Sequence, residues 1–155
     1  MSKIIQILAY EEGYKDKPYI DTEGYPTVAC GIVIGPKNAS LNNYQFTVPR
    51  SVGDIWMQKI LDEKIREMIM RPMLVAALRQ CNPARADVLY SMAYQMGIEG
   101  LSAFKNTLVL ISNGNFDGAA EGMMASRWAK QTPARAKRHA EMMRNGNYDV
   151  YQGVI

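Results

Sequence analysis

Two acidic residues and a threonine near the start of the chain have the types and the spacing that glycoside hydrolysis uses. Glu12 and Asp21 lie nine residues apart, and Thr27 follows six residues later. In glycosidases one carboxyl group protonates the leaving oxygen, while a second, ionised carboxylate activates water or attacks the sugar. Acid pairs at this spacing are common, and by itself the spacing is more typical of a solvated helix end followed by a polar hairpin tip than of a catalytic pair.

A short helix is predicted to position the first of these acids. Apolar residues recur at helical spacing over Ser2–Glu12, which indicates an amphipathic helix. Gly13 is the kind of residue that ends a helix. Glu12 therefore falls in the last turn, where unpaired carbonyl groups carry a partial negative charge, and Glu11 lies beside it. Both effects favour the protonated carboxyl form, which a general acid requires.

A turn between two strands is predicted to hold the second acid. The sequence Asp21-Thr22-Glu23-Gly24 has turn composition and separates two extended segments, 17–20 and 27–34. A carboxylate in such a turn accepts backbone N–H bonds and meets water, which keeps it ionised near neutral pH. The hydroxyl group of Thr27, across the turn, is placed to hold a water against Asp21.

These residues belong to two sequence blocks that resemble the lysozymes (endolysins) of T-even type phages, glycoside hydrolase family 24. The first block contains Glu12-Gly13 and the segment Tyr19 to Thr27, with the spacing of the family's Glu, Asp and Thr intact. The second block contains Tyr94-Gln95-Met96-Gly97, Phe104-Lys105-Asn106-Thr107 and Ser126 to Arg138. The blocks cover both ends of the chain and leave a divergent middle from about Gly35 to Arg50.

The resemblance implies an activity and a set of site residues. The activity is hydrolysis of the β-1,4 bond between N-acetylmuramic acid and N-acetylglucosamine in peptidoglycan, by a water-mediated displacement that leads to host cell lysis. No metal or organic cofactor is implied. The catalytic residues would be Glu12, Asp21 and Thr27, and the substrate-binding residues would be Val33, Tyr94, Gln95, Thr107, Arg127 and Arg135. Of the latter, Tyr94, Gln95 and Thr107 would face the cleft from the helical lobe, with Val33 opposite. Arg135 would lie near Glu12, where its charge would favour the ionised carboxylate and oppose the effect of the helix end, so the sequence leaves the net effect open.

Three departures from the family pattern affect the surroundings of this site. The family's glycine-rich continuation ends in His, whereas this chain reads Ala29-Cys30-Gly31-Ile32, so an ion pair through that His is absent. A cleft Asn of the family falls at Gly122. The loop before Ser51 is about ten residues shorter than the family's, which changes the upper rim of the expected cleft. Glu12, Asp21 and Thr27 are untouched.

Length and composition are those of an ordinary globular chain. The 155 residues fit a single domain, with 48% hydrophobic and 21% charged residues. A net charge of +3 does not indicate a nucleic-acid partner; it suits approach to an anionic wall polymer and equally allows a neutral partner. Cys30 and Cys81 fit neither a disulfide framework nor a metal motif, and we expect two free thiols.

The sequence also makes a prediction about location. No apolar run is long enough to span a bilayer, and no signal peptide is recognisable. We therefore expect a monomer in the host cytoplasm, without stable membrane insertion. It would reach the periplasm and the peptidoglycan glycan strands through a holin-type pore.

The predicted fold is α+β and mostly α, lysozyme-like, with two lobes in one domain over residues 1–155. A small β-containing lobe covers 13–50 and a connecting helix covers 51–71. Residues 1–12 and 72–155 form the helical lobe, with the segment 83–96 as its buried centre and the methionines and Trp128 as core residues. The predicted three-stranded antiparallel sheet takes its last strand from Tyr44–Val48. Short helices are predicted at 74–79, 102–113, 116–125, 127–130 and 133–144.

Two other functions fit the same pattern of residues. A wall-binding or lysis-regulating protein would keep the cleft without the activity, although the intact trio argues against this. A lytic transglycosylase would need a single acid and would form an anhydro sugar. Product analysis distinguishes hydrolysis from transglycosylation, because only hydrolysis adds water across the bond.

Overall fold

The computed structural model describes residues 1–155 and is mostly helical, with one small antiparallel sheet. The predicted α+β class, mostly α with a lysozyme-like element order, is confirmed. The chain divides into two compact units. Met1–Ile7 and Leu61–Ile155 form one, called the helical unit here, and Leu8–Ile60 forms the other, called the sheet unit. Whether they behave as a single domain stays a prediction.

The helices and strands follow one another along the chain with short connections. None of the helices combines the length and the apolar character needed to cross a bilayer. The elements are α1 Ile4–Glu12, β1 Lys15–Ile20, β2 Pro26–Ala29, β3 Ile32–Val33, α2 Arg50–Met68, α3 Pro72–Arg79, α4 Pro83–Ser102, α5 Lys105–Ser112, α6 Phe116–Met124, α7 Arg127–Gln131 and α8 Pro133–Asn145, with 3₁₀ turns at Leu41–Asn43 and Asp149–Tyr151.

The sheet unit contains a three-stranded antiparallel sheet in the order β1-β2-β3. The three-stranded sheet was predicted correctly, but its third strand was not. The predicted strand at 27–34 turns back on itself, because Ala29 and Gly31 adopt positive φ angles of 56° and 67°. It therefore supplies both β2 and β3. Apolar residues of these strands, with Val48, form a small core under the sheet.

The predicted strand at Tyr44–Val48 is wrong. This segment has no regular structure and follows the 3₁₀ turn at Leu41–Asn43. One backbone bond joins it to the sheet side of the unit, where the N–H of Val48 donates to the carbonyl of Asp16 at 2.7 Å. A single bond of this kind does not make a ladder, which requires successive bonds along both strands.

The helical unit is built around α4, as the sequence predicts. Val88, Leu89, Met92 and Ala93 are almost completely buried in a large apolar cluster. The side chain of Asn82 caps the start of α4 by accepting the N–H of Arg85 at 3.0 Å. The sequence predicts that this helix ends at Gly97. The structure has a kink there instead, with φ of 79°, and helical residues continue beyond it to Ser102. The packing role predicted for the methionines is confirmed for the five in this cluster, Met68, Met92, Met123, Met142 and Met143. It is wrong for Met70, Met73 and Met124, whose side chains are exposed.

The connecting helix predicted over 51–71 is α2, which begins at Arg50 and ends at Met68. It ends earlier than predicted because the next bonds tighten to the i→i+3 type, from the N–H of Met70 to Glu67 and from the N–H of Arg71 to Met68. The helix predicted from 102 begins only at Lys105.

The ends of α1, α7 and α8 agree with the sequence except at one cap. Gly13 ends α1 with φ of 66°. Pro133 occupies the first position of α8, as predicted, but Thr132 gives no side-chain cap. Its hydroxyl group donates instead to the carbonyl of Trp128 at 3.1 Å, so it stabilises the end of α7. Trp128 is buried in the apolar cluster, as predicted.

Candidate active site

The three predicted catalytic residues all lie in the sheet unit. Glu12 is the last residue of α1, Asp21 follows β1 directly, and Thr27 lies in β2. Thr27 is 2% exposed, whereas Glu12 and Asp21 are partly exposed. Their roles in catalysis stay a prediction. Their positions follow from local structure, because a glycine ends α1 after Glu12 and a tight turn reverses the chain after Asp21.

The turn holds Asp21 through one of its two carboxylate oxygens. Oδ1 accepts the backbone N–H of Glu23 at 2.9 Å and that of Tyr25 at 2.8 Å. The backbone N–H of Asp21 donates to the carbonyl of Tyr25 at 2.9 Å. These bonds favour a single orientation of the carboxylate. The second oxygen, Oδ2, remains available to a water or a substrate. The predicted acceptor role of Asp21 in its turn is confirmed.

The same peptide segment connects Asp21 to Thr27. The Thr27 hydroxyl group donates to the carbonyl of Tyr25 at 2.8 Å, while the N–H of Tyr25 donates to Asp21. Because its own proton is committed to that carbonyl, the Thr27 oxygen can only accept a further hydrogen bond. A water that donates one proton to Asp21 and the other to Thr27 keeps a lone pair for attack. Asp21 and Thr27 therefore each offer an acceptor of the kind that an attacking water requires.

Glu12 packs against a glycine in the turn between β2 and β3. A Cβ atom built on Gly31 would lie 2.5 Å from Oε1 of Glu12, so only glycine leaves room for the carboxyl group there. Ala29, in the same turn, has a positive φ of 56°, a conformation that costs about 1 kcal/mol or more for a residue with a Cβ atom. The turn thus carries backbone strain directly beside the proposed acid.

Tyr19 and Val33 flank Thr27 across the sheet. Antiparallel pairing places Tyr19 of β1 and Val33 of β3 opposite Thr27. Directly opposed residues of an antiparallel pair share a sheet face, so the three side chains form one row. Val33, a predicted substrate contact, is 52% exposed at the end of this row and offers an apolar surface.

Tyr19 is a residue of this region that the sequence reasoning missed. Burial raises the pKa of its hydroxyl group, and the nearby carboxylates of Glu12 and Asp21 raise it further. The phenol therefore stays protonated across the working range of a hydrolase and is a neutral donor within electrostatic reach of both acids. The signal in the sequence was the predicted hairpin, since pairing its two strands about the turn brings Tyr19 opposite Thr27.

Cys30 lies beside this site but is built into the interior. The side chain is fully buried next to Gly31. Burial raises the pKa of its thiol, and the opposing effect of Arg50 is smaller. A protonated, buried thiol is a poor nucleophile, so its environment is typical of a structural cysteine. No group of three or more His, Cys, Asp and Glu residues is arranged to hold a metal ion.

The other predicted substrate residues lie in the helical unit, in four different helices. Tyr94 and Gln95 are in α4, Thr107 in α5, Arg127 in α7 and Arg135 in α8. Arg127 is exposed and Tyr94 partly buried, whereas Thr107 and Arg135 are 7% exposed. Their roles in substrate binding stay a prediction.

Buried partners fix two of these side chains. The indole N–H of Trp128 donates to Oε1 of Gln95 at 2.9 Å. Arg135 donates from Nη2 to the hydroxyl oxygen of Ser91 at 2.9 Å, and that oxygen lies 2.7 Å from Nε2 of His139. A hydrogen-bonded side chain buried in this way has few alternative rotamers. Ser91 and His139 carried no signal in the sequence.

Thr107 is packed against Gly122, at the position where the family has an asparagine. A Cβ atom added to Gly122 would lie 2.8 Å from the Thr107 hydroxyl oxygen. The space that a larger side chain would need is therefore already taken by Thr107.

Comparison with known proteins agrees with the two sequence blocks. The family model for phage lysozyme matches residues 9–144. The chain is 27% identical to "Probable T4-type lysozyme 1" of Dictyostelium discoideum, over 98% of this chain and 99% of that protein. It is 28% identical to the "Pre-baseplate central spike protein Gp5" of Enterobacteria phage T4, over 94% of this chain and 28% of that protein.

A further phage protein matches at a similar level. The "Peptidoglycan hydrolase gp36" of Pseudomonas phage phiKMV is 30% identical over 88% of this chain and 14% of that protein. The chain therefore spans almost the full length of one relative and a small part of two much longer ones. Because the family model covers most of its residues, the chain belongs to the phage lysozyme family, and this membership supports a lysozyme-type, wall-degrading role.

Proposed function

We propose that the protein hydrolyses the β-1,4 bond between N-acetylmuramic acid and N-acetylglucosamine in peptidoglycan and so lyses a bacterial host. The observation that carries the proposal is the joint fixing of Asp21 and Thr27 by the peptide groups of Tyr25, in the same unit as Glu12. The matched relatives named as a lysozyme and as a peptidoglycan hydrolase support the choice of substrate.

Each residue of the trio has one step in the proposed reaction. Glu12 donates its proton to the glycosidic oxygen, which leaves as a hydroxyl group as the bond to the anomeric carbon breaks. Asp21 accepts a proton from a water, whose oxygen attacks that carbon, while Thr27 accepts the second hydrogen bond of the same water. The proton on Asp21 then returns to Glu12 through solvent, so that one water is consumed overall, its OH on the anomeric carbon and the equivalent of its H on the leaving oxygen. A displacement of this kind inverts the anomeric configuration.

Clearing of purified peptidoglycan sacculi tests the hydrolase proposal. The parent protein lowers the turbidity of the suspension, and Glu12→Gln slows clearing by at least about a hundredfold, because removing a general acid typically costs this much. Equal clearing by the two proteins contradicts the role of Glu12. Absence of clearing by both indicates a wall-binding protein without activity.

Mass spectrometry of the released fragments identifies the reaction. Hydrolysis gives reducing ends that carry the added water, whereas a transglycosylase gives anhydro ends without it. Detection of the anomer formed first distinguishes inversion by an activated water from retention through a covalent intermediate on Asp21. Anhydro products would overturn the proposal.

The proposed cellular setting has its own test. We propose that the protein acts as a monomer, is held in the host cytoplasm, and reaches the wall through a holin-type pore. Expression of the chain alone then leaves cells intact, and expression with a pore-forming holin, or permeabilisation of the inner membrane, lyses them. Lysis by the chain alone would contradict this route.

A further inference from the structure

The connection from β3 to α2, residues Ile34 to Pro49, is ordered without being a strand or an α-helix. Several hydrogen bonds attach it to the rest of the sheet unit. They include the bonds from Asn38 N–H to the Gly24 carbonyl at 2.8 Å, from Val48 N–H to the Asp16 carbonyl at 2.7 Å, and from the Tyr14 hydroxyl to the Val48 carbonyl at 2.6 Å. Connections of this length that lack regular structure are uncommon in compact proteins and usually have a function.

This connection and strand β1 enclose two adjoining hollows on the sheet unit. The first has a volume of about 510 Å³ and lies between Lys17-Pro18 and the segment 41–47. The second, about 620 Å³, lies between residues 14–17 and Pro49-Arg50. Both are open to solvent, and Lys17 lines both of them; the two hollows are together called the groove here. Glu12, Asp21 and Thr27 do not line either hollow.

The first hollow has the chemistry of a sugar site. Phe46 is 43% exposed, although exposed Phe is unfavourable without a partner, and Tyr44 is partly exposed beside it. The C–H face of a sugar ring packs well on such flat apolar rings. Asn42 and Gln45 supply amide groups, which both donate to and accept from hydroxyl groups. Nε2 of Gln45 donates to the carbonyl of Asn42 at 3.2 Å, which fixes the direction of its amide.

The second hollow is basic. Lys15, Lys17 and Arg50 line it with a single carboxylate, Asp16. Nε of Arg50 lies 3.1 Å from a carboxylate oxygen of Asp54, and this ion pair balances the charge of the arginine. The ammonium group of Lys15 lies 4.4 Å from the centre of the Tyr19 ring, so no carboxylate holds it. The two lysines therefore present positive charge to an anionic group that enters the hollow.

We propose that this groove is an accessory binding site for a peptidoglycan strand, separate from the catalytic residues. A sugar unit stacks on Phe46 and bonds to the neighbouring amides, and the carboxylates of its peptide stem lie at Lys17 and Lys15. The inference rests on the proposed function for the choice of glycan. A second contact of this kind keeps the enzyme on an insoluble wall between cuts, because it raises the effective concentration of the nearby strands.

Binding to sacculi without cleavage tests the groove. In a Glu12→Gln background, the pair Lys17→Ser with Phe46→Ala removes the shared cation and the exposed ring, and co-sedimentation with purified sacculi gives the affinity. We expect binding about tenfold weaker, which corresponds to about 1.4 kcal/mol. The matched control pair Lys59→Ser with Ile69→Ala removes one exposed lysine and one exposed apolar side chain outside the groove, and we expect a change below about twofold.

Two further measurements separate the parts of the proposal. On a short soluble glycan, the groove pair in the Glu12 parent keeps its kcat/KM, since only a long or insoluble substrate reaches both places. After the free carboxylates of the sacculi have been amidated with a carbodiimide and a small amine, a single Lys17→Ser change no longer affects binding, whereas Phe46→Ala still weakens it. Thermal unfolding of each variant checks that the fold is intact.

The outcomes distinguish the groove from the catalytic proposal. Unchanged sedimentation of the groove pair, or an equal loss in the control pair, overturns the accessory site. A persistent effect of Lys17→Ser on the amidated sacculi overturns the assignment of the carboxylates. If the parent does not hydrolyse sacculi but the groove pair still binds them more weakly than the control, the site stands and the proposed hydrolysis fails.

Discussion

At the scale of single residues, the candidate site depends on a few short contacts within the sheet unit. Asp21 and Thr27 are joined through backbone groups of Tyr25, so their relative position does not depend on side-chain packing alone. Glu12 depends on Gly31, whose missing side chain is the space that the carboxyl group fills. Tyr19 adds a neutral hydroxyl group near both acids.

Adding one methyl group at Gly31 should displace Glu12 specifically. Gly31→Ala places a Cβ atom 2.5 Å from Oε1 of Glu12, at a φ of 67° that also strains the backbone. We expect the kcat for sacculus hydrolysis to fall about a hundredfold, since a misplacement of about 1 Å costs this much. The free energy of unfolding should fall by about 1–2 kcal/mol.

Gly114→Ala is the matched control for that change. Gly114 has a similar φ of 75°, but nothing lies within 4 Å of an added Cβ atom. We expect a similar loss of stability in urea unfolding and full activity. If both variants lose activity equally, backbone strain rather than the contact with Glu12 explains the effect.

Tyr19→Phe tests the neutral donor near the two acids. The variant keeps the ring under Lys15 and loses only the hydroxyl group. We expect kcat to fall about tenfold with little change in stability, because the hydroxyl group lies near enough to feel the charge of both carboxylates and would donate a hydrogen bond to the reacting complex. A pH profile of kcat should shift in the variant; an unchanged rate and profile would remove Tyr19 from the site.

At the scale of elements, buried polar groups attach the ends of the helical unit to its central helix. Asp87 of α4 is fully buried and accepts three hydrogen bonds: from the hydroxyl group of Ser2 at 2.6 Å, the N–H of Lys3 at 2.7 Å and the hydroxyl group of Tyr148 at 2.6 Å. It therefore joins residues near both chain termini to α4.

Replacing Asp87 should destabilise the protein strongly. Asp87→Ala leaves the buried donors around it without their acceptor, and bonds to a charged group are worth about 1.5–3 kcal/mol each. We expect a loss of at least about 3 kcal/mol in the free energy of unfolding, measured in urea. The control Asp117→Ala removes a carboxylate that is 79% exposed and 3.7 Å from Arg144, and it should cost less than about 1 kcal/mol. Equal losses would contradict the role of Asp87.

At the scale of the whole molecule, stability should depend on the only histidine. His139 is fully buried, and burial lowers the pKa of its ring well below the usual value, with Arg135 and Arg138 adding to the effect. Arg135 can only donate to Ser91, so the Ser91 proton points to Nε2 of His139. The neutral ring then carries its own proton on Nδ1, 3.2 Å from the Tyr151 hydroxyl group.

The direction of the pH effect follows from that lowered pKa. The unfolded chain binds a proton at His139 with a pKa of about 6.5, whereas the folded protein does not. Stability is therefore complete above about pH 6.5 and declines as the pH falls below it, by up to about 1.4 kcal/mol per pH unit. Urea unfolding from pH 7.5 to pH 5 measures the slope. The His139→Leu variant has no titratable group at this position, so its stability should change less with pH than that of the parent, whatever its stability at pH 7.5. Identical slopes for the parent and the variant would contradict the role of His139.

Local sequence signals determined much of this protein. The apolar spacing of α1 and α4, the glycine that ends α1, the Asn82 cap and the turn that holds Asp21 all depend on neighbouring residues, which is why they were predicted. The types and spacing of Glu12, Asp21 and Thr27 pointed to glycosidase chemistry for the same reason.

Only the tertiary structure decided the remaining features, because they join residues far apart in the chain. Positive φ angles at Ala29 and Gly31 divide a predicted strand in two, and the segment predicted as the third strand makes the connection beside the groove instead. The approach of Glu12 to Gly31 and the buried chain from Arg135 through Ser91 to His139 leave no periodic pattern. Such contacts are set by packing and hydrogen bonding across the fold, and neither propensity nor spacing encodes them.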